Sequence, residues 1–198
     1  LERLTVETGL LRHKTAQELK KIRFRGTRDR MQTLGELLEQ VDGKVPLILE
    51  VKSQWDRPGP LEARIVEVLE NYKGLVSVMS FDPRSVEIFR QLNPYLLRGL
   101  VSERYENDEH WPMLTTWQKF KARHLLSFPH TRPHFIAYHV KALPTLATRI
   151  AKLCGLPLLS WTVRTDEDLK TVASFADSPI FEGDIVDKIK QTYQGTAS

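Results

Sequence analysis

The chain has 198 residues, 41% of them apolar and 27% charged, a balance that fits one medium globular domain and excludes intrinsic disorder. Its apolar runs, such as Gly155 to Trp161, fall far short of the roughly 18 residues of a membrane span, and no basic-then-apolar leader opens it, so no transmembrane segment is expected. With a net charge of +4 and Lys and Arg read as interleaved with acids along the length, no nucleic-acid partner is expected, whereas a small phosphate-bearing substrate is accommodated.

Taken in order, Thr15 with Glu18 and Thr33 with Glu36 are capping-box spacings that open helices over Thr15 to Ile22 and Thr33 to Val41. The branched apolar run Val45 to Val51 predicts a strand, and Leu61 to Leu69 the next helix. A strand over Val76 to Phe81 runs into a helix from Asp82 and Pro83 to Leu92, the acid as cap and the proline in the first turn. Leu96 to Val101 is the next strand. The stretch 105–133 breaks the rhythm and is expected to be an insertion or long loop, with Trp111 to His124 as its helical part. Phe135 to Tyr138 (strand), Leu146 to Leu153 (helix), Leu158 to Val163 (strand), Thr165 to Phe175 (helix, with Asp168 completing its cap) and Ile180 to Phe181 (strand) follow. A closing helix is predicted near Ile185 to Tyr193.

Six strands alternating with helices predict a mostly parallel sheet, because parallel neighbours need a crossover. Two architectures remain open on this evidence: an open doubly wound sheet and an eight-fold barrel. No G-x-G-x-x-G follows a strand, which argues against a dinucleotide crevice.

Within the first strand, period-two alternation puts Ile48, Glu50 and Lys52 on one face and Leu47, Leu49 and Val51 on the other. In a barrel the first face points to the axis, and its C-terminal end is where such folds build active sites. There a carboxylate can hold a hard cation and an ammonium can neutralise a phosphate oxygen. A structural ion pair, or edge charges turned to solvent, accounts for the same spacing.

Several stretches resemble the glycerophosphodiester phosphodiesterase family: "LERLTVETGLL" at the start, "TLGELLE" before the first strand, "LEVK" as its Glu-x-Lys motif, "SFDP" after the next strand, "SWTV" at a later strand end and "FEGD" near the last. Their order matches, and together they cover nearly the whole chain. The resemblance implies a TIM-type (β/α)8 barrel and metal-dependent hydrolysis of glycerophosphodiesters to glycerol 3-phosphate and an alcohol, within lipid and glycerol metabolism. It implies a divalent cation, calcium or magnesium, bound by Glu50, a phosphate contact and catalytic role for Lys52, and a glycerol pocket lined by Trp161.

The family's His-Arg-Gly strand, its Glu-x-Asp metal pair and its second catalytic histidine belong before the point matched by Leu1. Barrels of this type also run to about 250 residues and eight strands. The expectation is therefore a single barrel domain, incomplete and lacking its first two strands, and inactive as this chain alone. A non-catalytic barrel binding a phosphorylated ligand or a protein partner is the alternative, and a lysophospholipid substrate, using a groove near Trp111 and Trp117, is a variant of the first reading. A homo-oligomer is compatible with either.

The remaining candidates carry less. His130 and His134 have a metal-site spacing without a second ligand cluster. His139 follows a strand end and could approach the mouth, although a solvent-facing or merely hydrogen-bonded ring is the expectation, and His13, His110 and His124 offer less. The hydroxyl of Ser80 could reach the cavity or merely end the strand, and Asp82 reads as a cap. Glu182 and Asp184 lie near the last strand's end. The single cysteine, Cys154, is read as packing, excludes an internal disulfide framework and fits a reducing, cytoplasmic setting.

Overall fold

The computed structural model describes residues 4–53, 55–56, 59–107, 109–183, 185–187 and 189. They form two compact units, one of residues 1–46 with 67–75 and one of residues 47–66 with 76–198.

The first unit is built from two capped helices and short bridges. Helices α1 (Ala16–Leu19) and α2 (Leu34–Val41) start at Thr15 and Thr33, each with both halves of the expected capping box. Lys20 Nζ lies 2.6 Å from Glu36 Oε1. That lysine contact, followed by the bonds from Thr33, lowers the Glu36 carboxyl to about 2.

The second unit contains a six-stranded, all-parallel sheet: β1 (Leu47–Glu50), β2 (Val76–Ser80), β3 (Leu97–Ser102), β4 (Phe135–His139), β5 (Leu158–Val163) and β6 (Ser178–Phe181). The spatial order is the sequence order from β1 to β6. A doubly wound sheet reverses direction at a switch point, whereas a barrel wall adds each strand beside the last. The sheet is thus a curled half-barrel, and the doubly wound alternative falls away.

Alternation along the strands separates two apolar layers. On the outer face Leu100, Ile136, Tyr138 and Leu158 pack with Val86, Leu125, Ala142 and Ala151 from the connections. On the inner face Met79, Val101, Phe135 and Ala137 form the core, joined by Phe81, Leu159, Trp161 and Ile180. Gly99 makes room for that inner layer: a Cβ there would lie 2.1 Å from the Phe135 ring, so the ring crosses β3 only because the position has no side chain.

The connections carry helices α3 (Pro60–Leu69), α4 (Pro83–Leu92), α5 (Thr116–Arg123), α6 (Phe128–Thr131), α7 (Leu146–Leu153) and α8 (Asp166–Phe175). Asp82 caps α4 through the Arg84 N–H at 3.0 Å, with Pro83 at the first position. The stretch 105–133 folds into α5 and α6, and a fully buried Tyr138 ties it down. The Tyr138 hydroxyl proton is shared between the carbonyl oxygens of Arg123 at 2.9 Å and Glu103 at 3.2 Å. Of the closing helix expected over Ile185 to Tyr193, residues 188 and 190–193 lie outside the described residues. Among the described residues no helix is long and apolar enough to cross a membrane.

Candidate active site

Parallel register places Glu50 opposite Met79, and so on the inner face of the sheet, at the C-terminal end of β1. One more ladder bond, from the Val51 N–H to the Met79 carbonyl at 2.7 Å, carries the chain past the strand before it turns away. Lys52 follows on the same side, its Nζ 4.0 Å from Glu50 Oε1, with the lysine side chain 74% exposed and the glutamate 35%. An ion pair this exposed is worth at most about 1 kcal/mol, so a ligand can replace it at small cost. The pair lines a cleft of about 250 Å³ together with Ser53, Trp55, Phe81 and Trp111.

Aromatic rings continue from this cleft across the inner face. Trp55 meets Trp111 edge-on at 6.4 Å, Trp111 meets Phe81 at 5.0 Å, Phe81 meets Trp161 edge-on at 5.3 Å, and Trp161 meets His139 at 4.9 Å. Polar ties hold the two tryptophans at the mouth, Trp55 and Trp111. The Trp55 N–H donates to Ser53 Oγ at 3.1 Å, Ser53 Oγ donates to the cap carboxylate of Asp82 at 2.8 Å, and Arg84 Nη2 donates to the Trp55 carbonyl at 2.5 Å. The Trp111 indole N–H donates to the Glu103 carboxylate. Tyr105, buried beneath Trp111, has its phenol pushed up chiefly by burial.

Two polar groups on this surface stand out chemically. The indole Nε1 of Trp161 is buried and has no hydrogen-bond acceptor among the described residues, a donor left available in a place where an unmade bond is costly. His139 is half-buried. Burial pulls its imidazole below the usual histidine value, against the opposing pull of Glu103 and Asp168.

The predicted residues therefore divide. Glu50 and Lys52 share the cleft, and Trp161 lies next to it with the Phe81 ring between. Ser80 does not reach a cavity: its Oγ donates to the Val51 carbonyl at 2.7 Å on the outer face, where it is buried. Asp82 is the α4 cap, as expected. His134 Nδ1 accepts from the Arg98 N–H at 3.2 Å at the opposite end of the sheet, and His130 lies in α6. Glu182 pairs with Arg164 at 2.6 Å, Cys154 is exposed at the end of α7 instead of packed, and Asp184 lies outside the described residues. Sequence reasoning missed Trp55, Phe81 and Glu103 as parts of the mouth. Phe81 could have been found, since it continues the Met79 face of β2 by one period.

Calcium takes about six to eight oxygen ligands, and magnesium a strict octahedron. Among the described residues no group of three His, Cys, Asp or Glu side chains converges as such a centre requires. Glu50 supplies one carboxylate and no more, so the described residues do not by themselves fit a complete divalent-cation site.

The model of the glycerophosphoryl diester phosphodiesterase family matches residues 1–185. Among solved structures, the chain superposes on a phosphodiesterase of Oleispira antarctica in complex with the product sn-glycerol-3-phosphate, with a TM-score of 0.69 at 20% identity, over 100% of this chain and 76% of the other. A glycerophosphodiester phosphodiesterase from Parabacteroides distasonis gives 0.68 at 18% identity, over 93% and 72%. One from Thermotoga maritima gives 0.64 at 17% identity, over 98% and 75%. At these identities the likeness establishes the fold. No curated protein matches the chain.

Proposed function

The chain belongs to the glycerophosphoryl diester phosphodiesterase family, and from that premise we propose that its cleft binds the phosphodiester group of a glycerophosphodiester, with a place in lipid and glycerol metabolism. The observation that carries this reading is the inward-facing pair Glu50 and Lys52 at the C-terminal end of β1, in a cleft walled by Trp55, Phe81 and Trp111.

The chemistry divides among these side chains. The Lys52 ammonium, largely exposed, closes on a phosphate oxygen and offsets charge that builds on it during cleavage. The aromatic rings pack against the carbon skeleton of glycerol and keep water from its flanks. Trp161, behind the Phe81 ring, backs this aromatic wall. Glu50 would be one ligand of a calcium or magnesium ion, and the described residues bring together no group of three carboxylate or histidine ligands to complete the set. Hydrolysis to glycerol 3-phosphate and an alcohol also needs proton transfers to the attacking and leaving oxygens. His139, the one histidine placed on this face among the described residues, has its imidazole held below the usual histidine value by burial.

A single histidine on this face and no group of three metal-ligating side chains among the described residues favour a second reading for the 198-residue chain alone: a phosphate-binding half-barrel without turnover. Two measurements separate these readings. Titration calorimetry with sn-glycerol 3-phosphate tests the cleft, and loss of binding in Lys52→Met with an unchanged fold is the expected result. Release of choline from glycerophosphocholine with calcium or magnesium tests turnover, and none is expected. Turnover that vanishes in Glu50→Ala would show that this chain holds the complete catalytic set, and the binding-only reading would fall.

A further inference from the structure

Between His110 and Thr165 the chain carries eight Lys and Arg residues and not one Asp or Glu, leaving 21 basic against 25 acidic residues elsewhere. The interleaved charge expected from the totals therefore fails over this run, which spans α5, α6, β4, α7 and β5. Four of its cations pair with acids outside it: Arg123 with Glu106 at 4.0 Å, Lys141 with Asp168 at 2.7 Å, Lys152 with Asp177 at 2.7 Å and Arg164 with Glu182 at 2.6 Å. Lys121, Arg132 and Arg149 have no carboxylate partner among the described residues.

The same run turns large apolar side chains outward. On α5, Trp117 is 62% exposed and stacks on Phe120 at 5.4 Å with an interplanar angle of 11°, and Phe120 in turn packs on His124 at 4.5 Å. Lys121 Nζ lies 6.0 Å over the Trp117 ring. At the end of this ladder, His124 borders an apolar groove of about 320 Å³ lined by Leu126, Phe128, Ile150 and Cys154. Beyond it α7 is inverted relative to an ordinary surface helix. Thr148 and Ala151 are its buried residues, while Leu146, Ile150 and Leu153, spaced along one stripe, are 73%, 51% and 87% exposed.

Exposed Trp and Phe, an aliphatic stripe and cations without acids are the composition of helices that lie in a membrane interface, where aromatic rings seat at headgroup depth and basic side chains meet anionic lipid. A second copy of this chain suits the surface poorly, because a self-complementary contact would bring its unpaired cations together. Single-stranded nucleic acid suits it poorly as well: Trp117 and Phe120 already cover each other's faces, and the aliphatic groove offers bases no hydrogen bonds.

We propose that α5, the adjoining groove and the outer stripe of α7 form a docking surface for an anionic phospholipid bilayer, with Trp117 and Phe120 entering the interface. This surface does not use the Glu50–Lys52 cleft and stands apart from the function proposed for it.

The test is flotation of the 198-residue chain with vesicles of phosphatidylcholine alone or with phosphatidylserine, read beside tryptophan emission. Binding is expected only with the anionic lipid, with a blue-shifted emission, and weakening as salt rises. Trp117→Ala/Phe120→Ala and Lys121→Glu should each reduce binding roughly tenfold, while circular dichroism and glycerol 3-phosphate binding stay unchanged. Equal binding to both vesicle types, or full binding by the double variant, overturns the proposal. So does a vesicle-silent protein whose Trp117 fluorescence is quenched by a single-stranded oligonucleotide, or one that dimerises through this face in a manner abolished by Lys121→Glu.

Discussion

The imidazole of His139 packs against the indole of Trp161 on the adjacent strand, ring centres 4.9 Å apart and planes inclined by 59°, the two residues being direct partners in the β4–β5 register. Burial holds the imidazole below its ordinary value, so the folded protein favours the neutral ring. A depressed value means the contribution to stability is complete above the unfolded histidine pKa, about 6.5, and fades as pH falls through the folded one. NMR titration should place the His139 midpoint below the ordinary histidine value of about 6.5. Trp161→Ala opens the ring to water and should move the midpoint back up. A midpoint unmoved by this substitution would mean that the indole is not what desolvates the ring.

Glu50 and Lys52 should act in opposite senses on phosphate binding. In chelator-containing buffer Lys52→Met should weaken sn-glycerol 3-phosphate binding by about 1.5–3 kcal/mol, the worth of a charged hydrogen bond. Glu50→Gln removes a like charge from the same cleft and should tighten binding under those conditions. Calorimetry reads both effects, and an indifferent Glu50→Gln would remove the carboxylate from the site.

Asp168 is expected to make stability acid-sensitive. Burial pushes its carboxyl up, but Lys141 Nζ at 2.7 Å and the N–H groups of Arg164 at 3.2 Å and Thr165 at 3.1 Å outweigh that, and the net shift is downward. Its contribution is present above the unfolded aspartate value, about 3.9, and is lost as pH falls through the lower folded value. Asp168→Asn should cost about 1 kcal/mol near neutrality, and the gap between variant and wild type in urea melts should narrow toward pH 3. A gap independent of pH would point to the cap geometry rather than the charge.

Gly99→Ala should destabilise the half-barrel by about 1–3 kcal/mol, because the new methyl overlaps the Phe135 ring inside a packed layer. A paired Gly99→Ala/Phe135→Leu variant should recover part of that loss. If the single variant melts like wild type, the inner layer is looser than its geometry indicates.

Local signals carried most of the fold. The cap pairs at Thr15, Thr33 and Thr165 and the apolar runs of all six strands are written in neighbouring residues, and each element starts near where they predict, although α1 stops at Leu19, short of the expected Ile22. Helix α6 was not legible because its four residues are too few to show a period and include Pro129. Half of the mouth was hidden for a different reason. Trp55 is placed by Ser53 reaching Asp82, and Trp111 by Glu103, contacts that exist only once β1, β2 and β3 lie side by side. The acid-free run was legible throughout, but totals over the whole chain average it away.

Tyr138 fastens both the departure from β3 and the end of α5 to one side chain rooted in β4. What lies between those two anchor points, including Trp111, is in effect a replaceable cassette. Grafting a different segment between Arg104 and Thr115 would exchange the roof over the cleft while leaving the sheet and its charged pair in register.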